Sequence, residues 1–167
     1  KTTVARIVSR YLKGMGVLAG GQLVEVTRGD LVGQYVGHTA PLTQKAIQSA
    51  LGGVLFIDEA YSLYRGKDDS FGLEAIDTLV KGMEDHRDEL VVILAGYSRE
   101  MEEFLTANSG LKSRFPNIIQ FPDYTAQELW EITKSIVRSK GYRLDPACEQ
   151  PLIAYFEQRQ QEGDPRV

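Results

Sequence analysis

Apolar residues recur along the chain with the spacing of helices in some stretches and of short strands in others. The opening stretch repeats them every three or four positions, as an amphipathic helix does, at Val4, Ile7, Val8, Tyr11 and Leu12. Three short runs rich in apolar or β-branched residues are predicted to be strands: Leu23 to Thr27, Val54 to Ile57 and Leu90 to Ala95. The continuous apolar run of the second is typical of a parallel strand covered on both faces. Helical patterns separate these runs. The alternation predicts an α/β fold with a parallel sheet.

The segments between and after these strands are predicted to contain two loops, a capped helix and a further strand. Arg28 to Thr39 contains three glycines and is expected to be a loop, and Arg65 to Ser70 is a second, polar loop. Ser98 is a candidate N-cap for a helix. After a basic segment, Ile118 to Phe121 is predicted to form the last short strand.

Beyond Pro122 the pattern contains helices only. Thr125 and Glu128 form a capping box, and Asp145 with Pro146 begins a further helix. Two helices cannot bury their apolar faces well, so this segment is expected to be the start of a small helical subdomain. We place the boundary near Pro122 to Thr125, which gives an α/β subdomain at 1–123 and a partial helical subdomain at 124–167.

Composition and charge narrow the possible functions. The chain has 167 residues, 43% of them hydrophobic and 25% charged, which is typical of a globular protein. Lys and Arg number 19 against 23 Asp and Glu, a net charge of −4 that argues against nucleic acid or an anionic membrane as partner. No apolar run is long enough to span a bilayer. A single cysteine, Cys148, is expected to be buried and fits a cytoplasmic location.

The first candidate for chemistry is Lys1-Thr2 at the start of a predicted helix. These residues match the end of the phosphate-binding motif GxxxxGK[ST], in which the lysine contacts phosphates and the hydroxyl binds Mg²⁺. The alternative is that they form only the first turn of a surface helix.

The second candidate is Asp58-Glu59, which follows four apolar residues in GGVLFIDEA. Open α/β sheets bind ligands at the carboxyl ends of their strands, where this acidic pair falls. The pattern matches a Walker B motif, whose Asp holds Mg²⁺ and whose Glu activates the attacking water. The alternative is a strand followed by carboxylates that cap a helix.

The third candidate is Arg114 in GLKSRF, Gly110 to Phe115. It could serve as an arginine finger, which stabilises the charge on a transferring phosphoryl group and is often supplied by a neighbouring subunit. A surface arginine in an ordinary salt bridge is the alternative. With only His38 and His86 as histidines and no cysteine near them, a zinc site has almost no support.

Taken together, these residues resemble the AAA+ ATPases, and within them the CbbX-like group of red-type Rubisco activases, stage V sporulation protein K and type VII secretion ATPases. The resemblance covers essentially the whole chain. The matching stretches are KTTVARIV, DLVGQYVGHTA, GGVLFIDEAYSLYR, FGLEAIDTLVKGMEDHRDELVVILAGY, GLKSRF and FPDYT.

The resemblance implies a ring, usually a hexamer, that uses Mg-ATP to grip and remodel a client protein. Lys1 and Thr2 would then end Walker A, Asp58 and Glu59 would form Walker B, and Arg114 would be the finger. The loop GQYVGHT corresponds to pore loop 1, which makes Tyr35, with Val36 beside it, the aromatic grip on the client. The alternative for Tyr35 is a place in the core.

Two features limit what the resemblance implies. Ala95-Gly96-Tyr97 stands where many AAA+ proteins have a polar sensor residue, and Arg166 falls just short of the expected second sensor. The chain also begins inside Walker A, without the family's preceding strand and glycine loop. We therefore expect this stretch to be a fragment that alone folds poorly and hydrolyses no ATP.

Three functions compete on these residues. The leading one is an ATP-driven remodeller of a client protein. The second is a nucleotide-dependent assembly or scaffold protein that threads no substrate. The third, a simpler P-loop kinase or GTPase, leaves Glu59, Arg114 and the helical C-terminal segment unexplained.

Overall fold

The computed structural model describes residues 1–162 as two compact units, which divide between Ile118 and Ile119. In the first unit the α-helices are α1 (Thr2–Gly14), α2 (Arg28–Leu31), α3 (Thr39–Ala50), α4 (Ser70–Asp85), α5 (Ser98–Phe104) and α6 (Ser109–Arg114). Its strands are β1 (Leu23–Val26), β2 (Val54–Ile57) and β3 (Val91–Leu94), and a 3-10 turn spans Ala60–Leu63. The second unit contains α7 (Ala126–Ser139), a 3-10 turn (Pro146–Cys148) and α8 (Glu149–Gln161).

The three strands form one parallel sheet in the order β1-β2-β3. All four residues of the central strand β2 are buried, because helices cover both faces of the sheet and neighbouring strands cover both of its edges. Val26 lies beside Ile57, and Ile57 beside Leu94. The three strands therefore end at the same level, and the residues that follow them share one edge. The predicted α/β fold with a parallel sheet is confirmed.

The core lies between the sheet and helices α3 and α4. Its largest fully buried side chains include Leu31, Leu55, Ile57, Ile76 and Leu79. Burial of each such side chain stabilises the fold by about 1.5–3 kcal/mol relative to its exposed state. The end of strand β2, which carries the acidic pair, is thus anchored in the best-packed part of the unit.

Two predictions about local structure are wrong. The stretch predicted as a loop from Arg28 contains the one-turn helix α2, which begins after Thr27. The backbone N–H and hydroxyl of Thr27 both donate to Asp30, at 2.8 and 2.9 Å. This local bonding stabilises a helical turn despite the presence of Gly29.

The strand predicted at Ile118 to Phe121 does not form. Ile118, Ile119 and Phe121 are 70%, 71% and 57% exposed, and no strand within residues 1–162 pairs with this segment. An extended segment becomes a strand only when its backbone groups find a partner. The β-propensity of the sequence is present here, but the segment pairs with neither outer strand of the sheet.

Helix α1 forms as predicted but presents a different face to the sheet. Its buried residues are Ala5 and Ser9, whereas Val4, Ile7 and Tyr11 of the predicted stripe are 36%, 60% and 65% exposed. The Ser9 hydroxyl donates to the carbonyl of Gly21 at 2.7 Å. Small side chains at these positions let the helix approach the backbone closely.

The second unit is a helical pair with the predicted caps. The Thr125 hydroxyl accepts from the Glu128 N–H at 3.2 Å, and the Glu128 carboxylate accepts from the Thr125 N–H at 2.8 Å. The Thr125 hydroxyl also donates to the Glu128 carboxylate at 3.0 Å, and the two bonds that this carboxylate accepts from Thr125 lower its pKa below the ordinary value. Cys148, expected to be buried, is only partly buried.

Across residues 1–162, every helix is too short or too polar to cross a bilayer.

Candidate active site

The site lies at the carboxyl edge of the sheet. Asp58 and Glu59 follow β2 directly, and Ala95 follows β3 beside them. The Ala95 N–H donates to the carbonyl of Ile57 at 2.9 Å, and the Ala60 N–H donates to that of Ala95 at 2.9 Å. The backbone on both sides of the acidic pair is therefore fixed to the neighbouring strand.

Glu59 has an unusual backbone conformation. Its φ of 47° and ψ of 46° lie in the left-handed region, and it is the one residue other than glycine with positive φ among residues 1–162. An L-residue pays about 1–2 kcal/mol for this conformation, and such strain concentrates at functional sites. Asp58 Oδ1 accepts from the Glu59 N–H at 3.0 Å, which helps to hold the turn. The exposed Glu59 side chain is free to reach a ligand.

Tyr61 is a residue of this site that the sequence did not single out. Burial and, after it, the negative charge of Glu59 raise the pKa of its hydroxyl above the ordinary value. Tyr61 therefore stays protonated at neutral pH and remains a hydrogen-bond donor beside the acidic pair. The sequence signal was its position two residues after the acidic pair.

Lys1 lies at the same edge of the sheet. Its ammonium group donates to the carbonyl of Gly96 at 3.3 Å and lies 4.5 Å from the centroid of the Tyr97 ring. That ring is 6.3 Å from the ring of Tyr61. The structure thus places Lys1 at the end of β3, beside the end of β2 that carries Asp58 and Glu59. Both of its partners are uncharged, which leaves the ammonium charge available to a phosphate.

The residues at this edge fit Mg²⁺ with a bound nucleotide. Neither Asp58 nor Glu59 forms an ion pair with another residue of 1–162. Within the same range, no three His, Cys, Asp or Glu side chains are grouped to hold a metal by themselves. Proteins commonly bind Mg²⁺ through one or two carboxylates, with water and substrate phosphates completing its shell. Asp58 and the hydroxyl of Thr2, the first residue of α1, have the required chemistry.

Arg114 is separate from this group. It ends helix α6, and its guanidinium donates to Glu84 of α4 at 2.5 Å. The two side chains are 31% and 57% exposed, and Arg114 Nε is buried without a partner in the described part of the chain. Exposed ion pairs of this kind contribute about 0.2–1 kcal/mol, so a stronger anion can replace Glu84.

Tyr35 and Val36 lie at the tip of a loop and not in the core, where they are 66% and 87% exposed. The loop, residues 33–38, is closed at its base because Gly33 N–H donates to the buried hydroxyl of Thr39 at 3.0 Å. A Cβ on Gly33 would come within 2.9 Å of the His38 carbonyl carbon, so only glycine allows this closure. The His38 ring supports that of Tyr35 edge-on, 5.5 Å between centroids.

Of the two expected sensor positions, the structure describes the first, at residues 95–97. Gly96 and Tyr97 contact Lys1, as described above, and Tyr97 is 61% exposed. Arg166 lies outside the described residues.

Comparison with known proteins identifies the class. The model of the family described as "ATPase family associated with various cellular activities (AAA)" matches residues 1–123, and the chain belongs to this family. Its relatives agree with the resemblance to the CbbX-like group.

Three of the similar proteins illustrate this group. The chain is 54% identical to stage V sporulation protein K of Bacillus subtilis over 156 residues, which are 93% of the chain and 48% of that protein. It is 50% identical to protein CbbX of Cereibacter sphaeroides over 157 residues, or 93% of the chain and 51% of that protein. It is 47% identical to a chloroplastic ribulose bisphosphate carboxylase/oxygenase activase of Cyanidioschyzon merolae over 163 residues, or 97% and 56%. The chain thus spans about half the length of these relatives.

The strained turn at Glu59 leads to a stability prediction. Because glycine adopts positive φ without steric cost, Glu59→Gly should be more stable than Glu59→Ala by about 1 kcal/mol. The free energies of unfolding from urea titrations of the two variants measure this difference. At the exposed helical position Glu102 the same pair should differ by about 1 kcal/mol in the opposite direction. Equal stabilities at position 59 would contradict the strained conformation.

Proposed function

We propose that the protein hydrolyses Mg-ATP in a ring of identical subunits, usually six in this family, and uses the energy to remodel a client protein in the cytoplasm. The observation that supports this most is that Lys1 lies at the same edge of the parallel sheet as Asp58 and Glu59. A cation for phosphates and a carboxylate pair for metal and water are the parts that phosphoryl transfer to water requires.

Each residue has a proposed role. Lys1 and Thr2 end Walker A, where the ammonium contacts the phosphates and the hydroxyl binds Mg²⁺ together with Asp58. Glu59 orients the attacking water and accepts its proton, and the protonated Tyr61 hydroxyl is a donor available to the carboxylate. When bound, Mg²⁺ neutralises charge on the phosphate oxygens.

The loop at 33–38 is the proposed contact with the client. An exposed aromatic ring can pack on an extended peptide whatever its sequence, and Tyr35 presents such a ring on a closed, protruding loop. We propose that Tyr35 and Val36 line the central pore of the ring. The relatives carry names from sporulation and from Rubisco activation, and for this chain we propose only that the client is a protein, not nucleic acid or membrane.

Replacement of Tyr35 tests this function against a scaffold that threads nothing. Tyr35→Ala in the full-length protein should slow the unfolding of a fluorescently labelled, destabilised protein with an unstructured tail. We expect about a fivefold loss, since the missing aromatic contact is worth about 1 kcal/mol. Basal ATP hydrolysis should stay near that of the parent.

The matched control is Tyr11→Ala, which removes a tyrosine of similar exposure, 65%, from helix α1. It should leave both unfolding and hydrolysis unchanged. If ring formation is ATP-dependent but neither the parent nor Tyr35→Ala unfolds the probe, the scaffold function replaces the remodeller.

A further inference from the structure

An ion pair between Arg28 and Asp69 joins two segments that lie 41 residues apart in the chain. Arg28 Nη1 donates to Asp69 Oδ2 at 2.7 Å, and Nη2 donates to Oδ1 at 3.0 Å. The side chains are only 18% and 13% exposed. This bidentate, largely buried geometry distinguishes the pair from the exposed ion pairs elsewhere in residues 1–162.

The Asp69 carboxylate accepts hydrogen bonds from a backbone N–H as well as from Arg28. Its Oδ1 also accepts from the N–H of Gly72 at 3.0 Å, so the same carboxylate caps helix α4. The hydrogen bond from Arg28 is the main cause that lowers the pKa of the Asp69 carboxyl below its ordinary value. A Cβ on Gly72 would lie 2.1 Å from the carbonyl oxygen of Leu63. The start of α4 is therefore tightly packed against the end of the 3-10 turn at Ala60–Leu63.

Arg28 also reaches the segment that follows the acidic pair. Its Nη1 donates to the carbonyls of Ser62 and Leu63, at 2.9 and 3.1 Å. The Ser62 N–H in turn donates to the carbonyl of Glu59 at 2.8 Å. A continuous chain of hydrogen bonds thus runs from the strained residue of the candidate active site to the first residue of α2.

The other end of α2 leads to the loop at 33–38. The carbonyl of Leu31, the last residue of α2, accepts from the buried hydroxyl of Thr43 in α3 at 2.9 Å. The loop itself is closed by the bond between Gly33 and Thr39. The one turn of α2 and the closed base of the loop thus form a short, continuous path along the chain from Arg28 to Tyr35.

We propose that Arg28 is a positioning residue that, through Asp69 and the carbonyls of the 3-10 turn, couples the state of the nucleotide site to the loop that carries Tyr35. The inference rests on the proposed function, since it assigns a route between the two sites of that function. The coupling is carried by one guanidinium that bonds both segments at once, and coupling energies between sites are typically 1–3 kcal/mol.

Hydrogen–deuterium exchange in the full-length protein tests this coupling. The Glu59→Gln background is used to prevent turnover, and exchange is measured with and without Mg-ATP. With Arg28 present, ATP should change exchange both at residues 58–63 and at residues 33–38, by about fivefold or more. In Arg28→Lys, which keeps the charge but loses the forked geometry, the change at 58–63 should remain and that at 33–38 should disappear.

Two further variants make the result specific. Asp69→Asn keeps an oxygen that can cap α4 but loses the charge, and it should reproduce the effect of Arg28→Lys if the ion pair is responsible. Arg6→Lys alters the exposed pair of Arg6 with Glu25, 57% and 46% exposed, and should behave as the parent does. Melting temperatures of all variants verify that they are folded.

Several results would overturn the inference. Retention of the ATP-dependent change at 33–38 in both Arg28→Lys and Asp69→Asn would show that the route does not pass through the pair. Loss of the change at 58–63 in a folded Arg28→Lys would show that Arg28 acts on the nucleotide site itself. If the parent shows no ATP-dependent change at 58–63, the proposed function fails and the inference fails with it; if only 33–38 is unchanged in the parent, the inference alone fails.

Discussion

Arg114→Ala in the assembled protein should reduce ATP hydrolysis by about 10³-fold or more while ATP binding persists. An arginine finger stabilises charge that develops on the phosphoryl group in the transition state, and its loss costs about 10³–10⁵ in turnover. Arg114 is suited to this role because it ends a helix at the surface and its partner Glu84 is 57% exposed. Steady-state hydrolysis and equilibrium nucleotide binding measure the two effects separately.

Two controls isolate the guanidinium. Lys112→Ala removes another exposed cation from the same helix and should leave hydrolysis near the parent rate. Glu84→Gln weakens the ion pair without removing Arg114, and it should also keep hydrolysis, since the pair is worth at most about 1 kcal/mol. A large loss in Glu84→Gln would instead assign Arg114 a structural role within its own subunit.

Mixed rings show whether Arg114 acts on a neighbouring subunit. Arg114→Ala subunits retain Glu59, and Glu59→Gln subunits retain Arg114, so each preparation alone should be nearly inactive. In a mixture, interfaces that join an intact Glu59 with an intact Arg114 form again, and hydrolysis should return in part. No recovery in rings shown to be mixed would contradict a finger supplied by a neighbour.

The sequence predicted the three strands of the sheet because each is a short run rich in apolar residues and strong helical patterns separate them. It failed where structure depends on pairing or on a few local bonds. Ile118 to Phe121 has the composition of a strand, but pairing edges are set by the tertiary structure. Helix α2 was missed because three glycines suggested a loop, whereas the bonds between Thr27 and Asp30 stabilise one helical turn.

The sequence likewise predicted only part of the candidate site. The acidic pair follows a buried strand, and that position alone places Asp58 and Glu59 at the carboxyl edge of the sheet. The left-handed backbone of Glu59 left no signal, since glutamate rarely adopts it. The pair of Arg28 and Asp69 could not be predicted either, because residues 41 positions apart meet only once the strands are in register.

Glu59→Gln should reduce ATP hydrolysis by about 10²–10⁴-fold, the usual contribution of a general base, without weakening ATP binding. Glutamine has nearly the same shape as glutamate, but it cannot take a proton from water. The backbone strain at position 59 is retained in this variant, so its stability should match that of the parent. A loss of turnover therefore reports on chemistry and not on folding.

A glutamate on the surface of a helix provides the control for Glu59→Gln. Glu102→Gln, on the exposed face of helix α5, should hydrolyse ATP at the parent rate. If Glu59→Gln forms rings, binds ATP and still hydrolyses it at the parent rate, the base is another group and the Walker B assignment of Glu59 is wrong. If the parent itself forms rings without hydrolysis, the strained acidic turn serves nucleotide binding alone, and a scaffold whose assembly depends on ATP becomes the better account of the site.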